Sequence, residues 1–523
     1  MGIPFARPPV GKYRFKEPKP TKPWQGVWDA TKLPPKCIQY DRYPVSAVLG
    51  EEDCLYLNVY TPKLAAPGAP LLDVLVFIHG GGFMYGASAD WGPELILDRD
   101  VVLVTINYRL GVMGFLSTED DVVPGNNGLK DQSLALRWLQ GNVAAFGGNP
   151  NSVTLLGLSA GGASVHYHYL SPLSQGVFHR GWSMSGSALC PWTQQEAALQ
   201  KARRIAALVG CPSDDAATTR DLVECLRYRP ARAVVAAVPG LQDDHELPFS
   251  PFAPVVEPAG TLGAFLDSAP LDVIQSGAAH DLPWMTGVTT EEGLYNAGEF
   301  LGEAHAAKLQ QLERDWLQRA PLLLDYNYTA PADAARRDAL SVAIRERYFG
   351  SRPFAGATKE FIAMIGDRIF NTGVEQAARE MAKANSESVF LYEFGYRGEY
   401  SLSAAIANGD TTNWGVSHGD DTGYLLKWDL MPTGRTPTEQ KLSKQLISFL
   451  TTFARTGVPA GLPGAPGWVS VDPAAAALPI IRIDRKAELS FATVPELGST
   501  AFWTSLPIGE NQAAADQGER DEL

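Results

Sequence analysis

The chain has 523 residues, 45% of them hydrophobic, and a formal net charge of −14. That composition allows a large buried core, and the acidic balance argues against partners that need a basic face, nucleic acid and anionic membrane above all. No apolar run reaches the length that a bilayer span requires.

Length alone suggests about three domains. One constellation of motifs spread from position 79 to position 418 argues instead for a single domain over 1–505, followed by a polar, Ala-rich mobile tail at 506–523. In chain order, β-branched and apolar runs predict strands at 74–78, 101–107, 153–158, 182–185 and 282–288. Helical patterns alternate with them, as in a mostly parallel α/β sheet. Residues 129–146 carry Leu134, Trp138 and Leu139 at helical spacing and stop at Gly147 and Gly148. The rhythm is lost over 213–281, where Pro, Asp and Gly are frequent, and this stretch is expected as an insertion walling the active site. Segments 302–320, 332–348 and 355–384 read as helices, 389–394 as a late strand and 437–456 as a long amphipathic closing helix.

Gly157-Leu158-Ser159-Ala160-Gly161 matches G-x-S-x-G. The pattern gains weight from its setting, because an apolar run leads in and a helical run leads out, the strand–turn–helix of a nucleophile elbow. The glycines have a physical purpose, since side chains two positions either side of Ser159 would collide across so tight a turn. His79-Gly80-Gly81-Gly82-Phe83 closes the strand at 74–78. Glycines there let backbone N–H groups approach an oxygen that becomes negative in acyl transfer. The amides of Gly81, Gly82 and Ala160 are the expected oxyanion donors.

The base is found by elimination among eight histidines. The order nucleophile, acid, histidine removes His79, and His166 and His168 lie on the elbow helix pointing away from the turn. His179 enters a strand, His245 sits in a charged loop, and His280 and His305 come too near or before the expected acid. His418 remains, in a loop of small residues, 414–421, that leaves it free to reach a serine on another strand. The acid is Glu292 or its neighbour Glu291, both following the strand at 282–288, and spacing alone leaves both open. No Cys, His and carboxylate cluster has metal-ligand spacing and no phosphate-binding glycine loop occurs, so neither metal nor cofactor is expected.

Of five cysteines, Cys37 and Cys54 flank a polar loop, Cys211 and Cys225 flank a short helical stretch, and Cys190 is left over. Two local bridges would fit an oxidising compartment; buried free thiols are the alternative. Residues 520–523 read Arg-Asp-Glu-Leu, close to the endoplasmic-reticulum retrieval signal. The start lacks the apolar core of a signal peptide, so the reading favours a truncated start. Asn327-Tyr328-Thr329 is a glycosylation acceptor.

The chain resembles the type-B carboxylesterases, the family that includes the cholinesterases. The resemblance runs from Gly2-Ile-Pro-Phe-Ala-Arg-Pro-Pro to about Trp503, through Arg14-Phe15, the Glu51-Glu-Asp-Cys-Leu-Tyr-Leu-Asn run, Asn107-Tyr-Arg, Gly125-Asn-Asn-Gly-Leu-Lys-Asp-Gln and Phe146-Gly-Gly. It implies an α/β-hydrolase fold with long insertions forming a gorge, and it selects Glu292 as the acid. It pairs Cys37 with Cys54 and Cys211 with Cys225, and it places an ion pair on Glu52 and Arg109. Residues 159–192 are most similar to arthropod-type detoxifying carboxylesterases.

The departures bear on substrate. Cholinesterases carry a glutamate before the nucleophile where this chain has Leu158, and a tryptophan in the first bridged loop, which here holds none. Neutral hydrophobic esters, xenobiotic or lipid-derived, are therefore expected, with Leu158, Phe249 and Phe252 lining the substrate and organophosphates as covalent inhibitors. Asn149 replaces the usual aspartate partner of Arg14, which reduces that ion pair to a hydrogen bond at most. Other readings are hydrolysis of the juvenile-hormone type, in which Gln usually replaces Leu158, a slow sequestering enzyme, and a non-catalytic adhesion or scaffold relative.

Overall fold

A computed structural model of the protein describes residues 1–41, 46–63, 68–241, 250–407, 409–428, 430–431, 436–460 and 468–511. Its centre is a ten-stranded sheet. The strands are β1 (Ile3–Pro4), β2 (Tyr56–Tyr60), β3 (Leu72–Ile78), β4 (Val101–Ile106), β5 (Gly148–Leu158), β6 (Arg180–Met184), β7 (Trp284–Thr289), β8 (Val389–Phe394), β9 (Leu478–Ile483) and β10 (Leu489–Val494). They lie in the order β1-β2-β4-β3-β5-β6-β7-β8-β9-β10. From β4 to β9 every pairing is parallel, and only the β1–β2, β2–β4 and β9–β10 contacts are antiparallel.

Parallel strands need crossovers that cover both faces, so their side chains are apolar on both sides. Strand β4, Val-Val-Leu-Val-Thr-Ile, is buried at every position. Two apolar clusters result, one on each face. Val74, Val76 and Ile78 of β3 belong to the larger, and Leu75 and Phe77 to the smaller. The smaller is closed by α5 (Pro437–Thr456), which has a Thr436–Glu439 capping box, Pro437 in its first turn and Gly457 in a left-handed C-cap. Those three signals explain why the sequence marks this helix at both ends. The other helices that matter below are α1 (Asn127–Asn142), α2 (Ala160–Leu170), α3 (Thr358–Gly366) and α4 (Thr372–Ala384).

Each expected strand is present within a few residues of its predicted bounds. The stretch at 302–320 is instead two helices, Ala306–Arg314 and Trp316–Leu323, broken at Asp315. The stretch at 355–384 holds a π-helical turn, Asp367–Asn371, between α3 and α4. The insertion carries helices Thr219–Tyr228, Ala231–Ala236 and Pro270–Gln275. Its residues 242–249, with His245 and Phe249, lie outside the described residues.

Both expected disulfides are formed, Cys37–Cys54 and Cys211–Cys225, and Cys190 is a free buried thiol. The expected ion pairs are different. Arg14, not Arg109, holds Glu52, with Nε and Nη2 each donating to one carboxylate oxygen at 2.7 and 2.6 Å, and its Nη1 donates to the carbonyls of Leu226, Arg227 and Arg229. Arg109 instead grips Asp131 on α1, and the Asn149 side chain accepts from the amide of Asn151 within its own turn. The reason is local: Arg14 follows a 3-10 turn that sets it beside the bridged loop, while Asp131 lies one turn into a helix whose start abuts Arg109. Packing also runs beyond 505. Leu506 and Ile508 are buried and Glu510 pairs with Arg368, while the Arg-Asp-Glu-Leu terminus lies outside the described residues.

Candidate active site

Strand β5 ends at Leu158, and α2 begins at Ala160. The single residue between them, Ser159, sits at φ 60°, ψ −122°, a conformation that a non-glycine residue adopts only when its surroundings enforce it. Ser159 N donates to the Met184 carbonyl at 2.8 Å, and Ala163 N returns to the Ser159 carbonyl at 2.8 Å. A Cβ at Gly157 would lie 2.2 Å from the Gly161 carbonyl, and one at Gly161 would lie 2.0 Å from that of Ile78. Both positions must therefore be glycine for the turn to close.

The glycine loop lies across this turn, with Gly80 packed on Leu158 and Ser159. Its carbonyls are all tied. Gly80 accepts from His79 Nδ1 at 2.8 Å, Gly81 from the amides of Met84 and Tyr85, and Gly82 from Ser250 Oγ at 2.6 Å. Gly81 and Gly82 have φ of 105° and 58°. Among the described residues their amides donate to no acceptor, which leaves them available to a developing oxyanion. His79 has a structural part here that its position in the sequence conceals. Burial holds its ring down at about 4, so it stays neutral, stacked on Tyr108, and keeps its proton on the Gly80 carbonyl.

Glu292 and His418 come from different loops and meet in the interior, 1% and 2% exposed. His418 Nδ1 donates to Glu292 Oε2 at 2.6 Å. The other carboxylate oxygen accepts from Ser185 Oγ at 2.5 Å and from Thr289 N at 2.7 Å. The structure thus separates the two glutamates. Glu291 turns aside, and its carboxylate accepts from Val416 N at 2.8 Å and from Thr290 Oγ1. The ring of His418 is held between Phe370, stacked at 4.3 Å, and the edge-on ring of Tyr295 at 5.1 Å. Among the described residues its buried Nε2 has no hydrogen-bond partner, the open end of the pair. Gly419, directly after His418, packs on the side chain of Leu158, directly before Ser159, which brings the His418 loop to the Ser159 turn.

Four other histidines have structural partners. His166 and His168 are buried and pushed down to about 3, the first stacked on Trp284, the second bonded to Ser174 and Gln132. His179 accepts from Val153 N and His280 donates to the Ser171 carbonyl. Phe252 is fully enclosed in the larger apolar cluster. Sequence reasoning missed Ser185, Phe370 and Tyr295. Ser185 follows the end of β6 and carried one faint signal, a serine with a glycine after it at a strand end; the two aromatics carried none. Among the described residues no acidic, His or Cys group could hold a metal ion, and no helix is long and apolar enough to cross a membrane.

A mostly parallel sheet flanked by helices, with a strained serine between a parallel strand and a helix, defines the class of the fold as an α/β-hydrolase. The comparisons narrow this. A family model described as "Carboxylesterase family" matches residues 1–503, and the chain belongs to that family. It is 42% identical to venom carboxylesterase-6 of Apis mellifera over 98% of this chain and 90% of the relative. It is 43% identical to esterase E4 of Myzus persicae, over 88% of this chain and 82% of the relative. It is 39% identical to juvenile hormone esterase of Tribolium castaneum, over 88% and 79%.

Proposed function

We propose that this chain hydrolyses neutral, hydrophobic carboxyl esters through an acyl-enzyme, with Ser159 as nucleophile, His418 as base and Glu292 as acid. The observation that carries the reading is the buried 2.6 Å contact of His418 Nδ1 with Glu292, which fixes the tautomer and, among the described residues, leaves Nε2 unpaired in a loop whose Gly419 packs on Leu158, the residue before Ser159. As Ser159 Oγ bonds to the ester carbon, its proton passes to Nε2. The carbonyl oxygen becomes negative and is met by the amides of Gly81, Gly82 and Ala160. When the carbon–oxygen bond to the alcohol breaks, Nε2 returns the proton to the leaving alkoxide. Water then repeats the sequence on the acyl group, releasing the acid and restoring Ser159. Glu292 accepts from Nδ1 throughout and stabilises the imidazolium.

Leu158 supports a neutral substrate, because a permanent cation out of water needs a carboxylate or an aromatic face. Organophosphates are proposed as covalent inhibitors of the same serine. The two disulfides and the exposed Asn327 support a lumenal or secreted location. The test is Ser159→Ala, assayed with a matched butyl and choline ester of one acid. Turnover should fall by at least about 10⁴-fold with an unchanged melting temperature. The unaltered enzyme should prefer the neutral ester by about tenfold in kcat/KM, roughly 1.4 kcal/mol. Residual turnover in the variant would remove Ser159 from its role, and preference for the choline ester would overturn the substrate class.

A further inference from the structure

Beside Glu292 the molecule holds a cleft of about 580 Å³ whose lining includes neither Ser159, nor His418, nor the glycine loop. That volume lies in the range of small-molecule sites. One wall is Glu291, Glu292, Gly415 and Val416, the two strips that carry the acid and lead to His418. They are joined there by a parallel β-bridge between Glu291 and Ser417, by Glu291 N donating to the Val416 carbonyl and by Val416 N donating to the Glu291 carboxylate. The cleft is therefore separate from the place where the ester reacts, yet shares a wall with the groups that activate it.

The charges lining it are unevenly matched. The acids are already bonded. Glu291 accepts from Thr290 and Val416, Glu292 from Ser185, Thr289 and His418, and Asp367 from Tyr348, Asn371 and Ser499. Burial also pushes Asp367 towards its neutral form. The three cations are not matched. Lys359 and Arg485 are exposed, Arg397 is half-buried, and among the described residues none of the three reaches a carboxylate at ion-pair distance. Arg397 uses only Nη1, on the Gly398 carbonyl, and lies in the field of Asp420, while Lys359 is next to Glu360 in sequence. Two polar atoms of lining residues, Arg397 Nε and Asn371 Oδ1, are buried without a hydrogen-bond partner among the described residues, and Asn371 as a whole is 8% exposed. Elsewhere in this acidic protein the buried arginines are taken up: Arg14 by Glu52, Arg109 by Asp131 and Arg368 by Glu510.

We infer that this cleft is a binding site for a small organic carboxylate. A planar guanidinium reads a carboxylate through paired N–H donors, a second and a third cation at the rim hold the charge, and the ring of Trp414 offers an apolar face to the attached carbon chain. A neutral molecule of the same size would leave the cations without their complement. The occupant binds while the catalytic site is free, and the acid released by ester hydrolysis belongs to its class. That last point rests on the proposed esterase activity; the site itself does not.

The experiment uses the full chain carrying Ser159→Ala, so that binding is read without turnover, with hexanoate as ligand and hexanol as its neutral counterpart. Calorimetry should give one saturable site for hexanoate and at least tenfold weaker binding of hexanol. Adding Arg397→Gln and Lys359→Gln should weaken hexanoate at least tenfold. In the enzyme with Ser159 intact, the same two substitutions should leave kcat and KM for a neutral ester within twofold in the absence of hexanoate. Hexanoate should leave the KM for that ester within twofold, because it does not compete for the ester's place. Hexanoate binding that survives the double substitution, or equal binding of hexanol, would overturn the site. A purely competitive effect on KM would do the same by placing the anion at Ser159. Binding with no ester turnover in the unaltered protein would leave the cleft standing and remove the esterase reading alone.

Discussion

The two halves of the candidate site are built by opposite means. The nucleophile half is local: β5, Ser159 and α2 are consecutive, and the strain at Ser159 is held by glycines at 157 and 161 that admit carbonyls to within 2.2 and 2.0 Å of where a Cβ would stand. The acid–base half is non-local. Glu292 and His418 lie 126 positions apart and meet only because the loops after β7 and before α5 are stitched together by one bridge and a few side-chain bonds. A turn built by sterics tolerates no added atom but needs no hydrogen-bonded support. A pair built by hydrogen bonds depends on every partner, because an unpaired group in the interior costs more than a bond contributes.

That contrast can be broken first at Glu292. Its Oε1 must face two donors, Ser185 Oγ and Thr289 N. In Glu292→Gln the amide oxygen takes that place and the NH₂ group faces His418 Nδ1, which reverses the tautomer and puts the proton on Nε2. Turnover should fall by about 10⁴-fold with the fold intact. A loss under tenfold, with unchanged circular dichroism, would show that the carboxylate does not set the tautomer.

On the nucleophile side, Gly161→Ala should act on stability instead. The new methyl meets the Ile78 carbonyl, which belongs to a central strand and cannot retreat. We expect a loss of about 3 kcal/mol or more, read from denaturant unfolding. A variant that unfolds at the same denaturant concentration would mean that the turn is not closed by contact.

A smaller effect separates orientation from charge. Ser185→Ala leaves the carboxylate in place but removes one of its donors. About a tenfold loss in kcat with KM within twofold is expected, roughly one hydrogen bond to a charged group. An equal loss from Ser183→Ala, two residues earlier on β6 and bonded to the Gly162 carbonyl, would assign the effect to packing.

A last test concerns pH. Burial pushes Asp420, two residues after His418, up to about 7 from its ordinary 3.8, although the amides of Leu402 and Ser417 both donate to it. Because the folded value is the higher one, the folded chain binds the proton more tightly. Its contribution to stability is complete below the ordinary value and is lost as pH rises through about 7. The melting temperature of Asp420→Asn relative to the unaltered protein should therefore rise between pH 4 and 8. A difference that stays constant over that range would mean that Asp420 is ionised throughout.

The sequence by itself determined what depends on neighbours along the chain. The strands β3, β4, β5 and β8, the capped helix α5, the glycines around Ser159 and the glycine loop after β3 each carry their cause within about a dozen residues, in periodicity, caps and φ requirements. Elimination reached His418, and the family resemblance placed both disulfides and preferred Glu292. Tertiary structure decided what depends on which segments lie side by side. It turned Glu291 towards Val416 and Glu292 towards His418, although the two are adjacent and chemically alike. It gave Glu52 to Arg14 and Asp131 to Arg109. It brought Ser185, Phe370 and Tyr295 to Glu292 and His418 from three distant stretches. It also left Lys359, Arg397 and Arg485 around one cleft without a carboxylate at ion-pair distance among the described residues. A charged side chain has several partners in reach of its type, and only the packing of β-sheet, loops and helices fixes which of them lies within 3 Å, so pairing is a property of the fold and not of the local sequence.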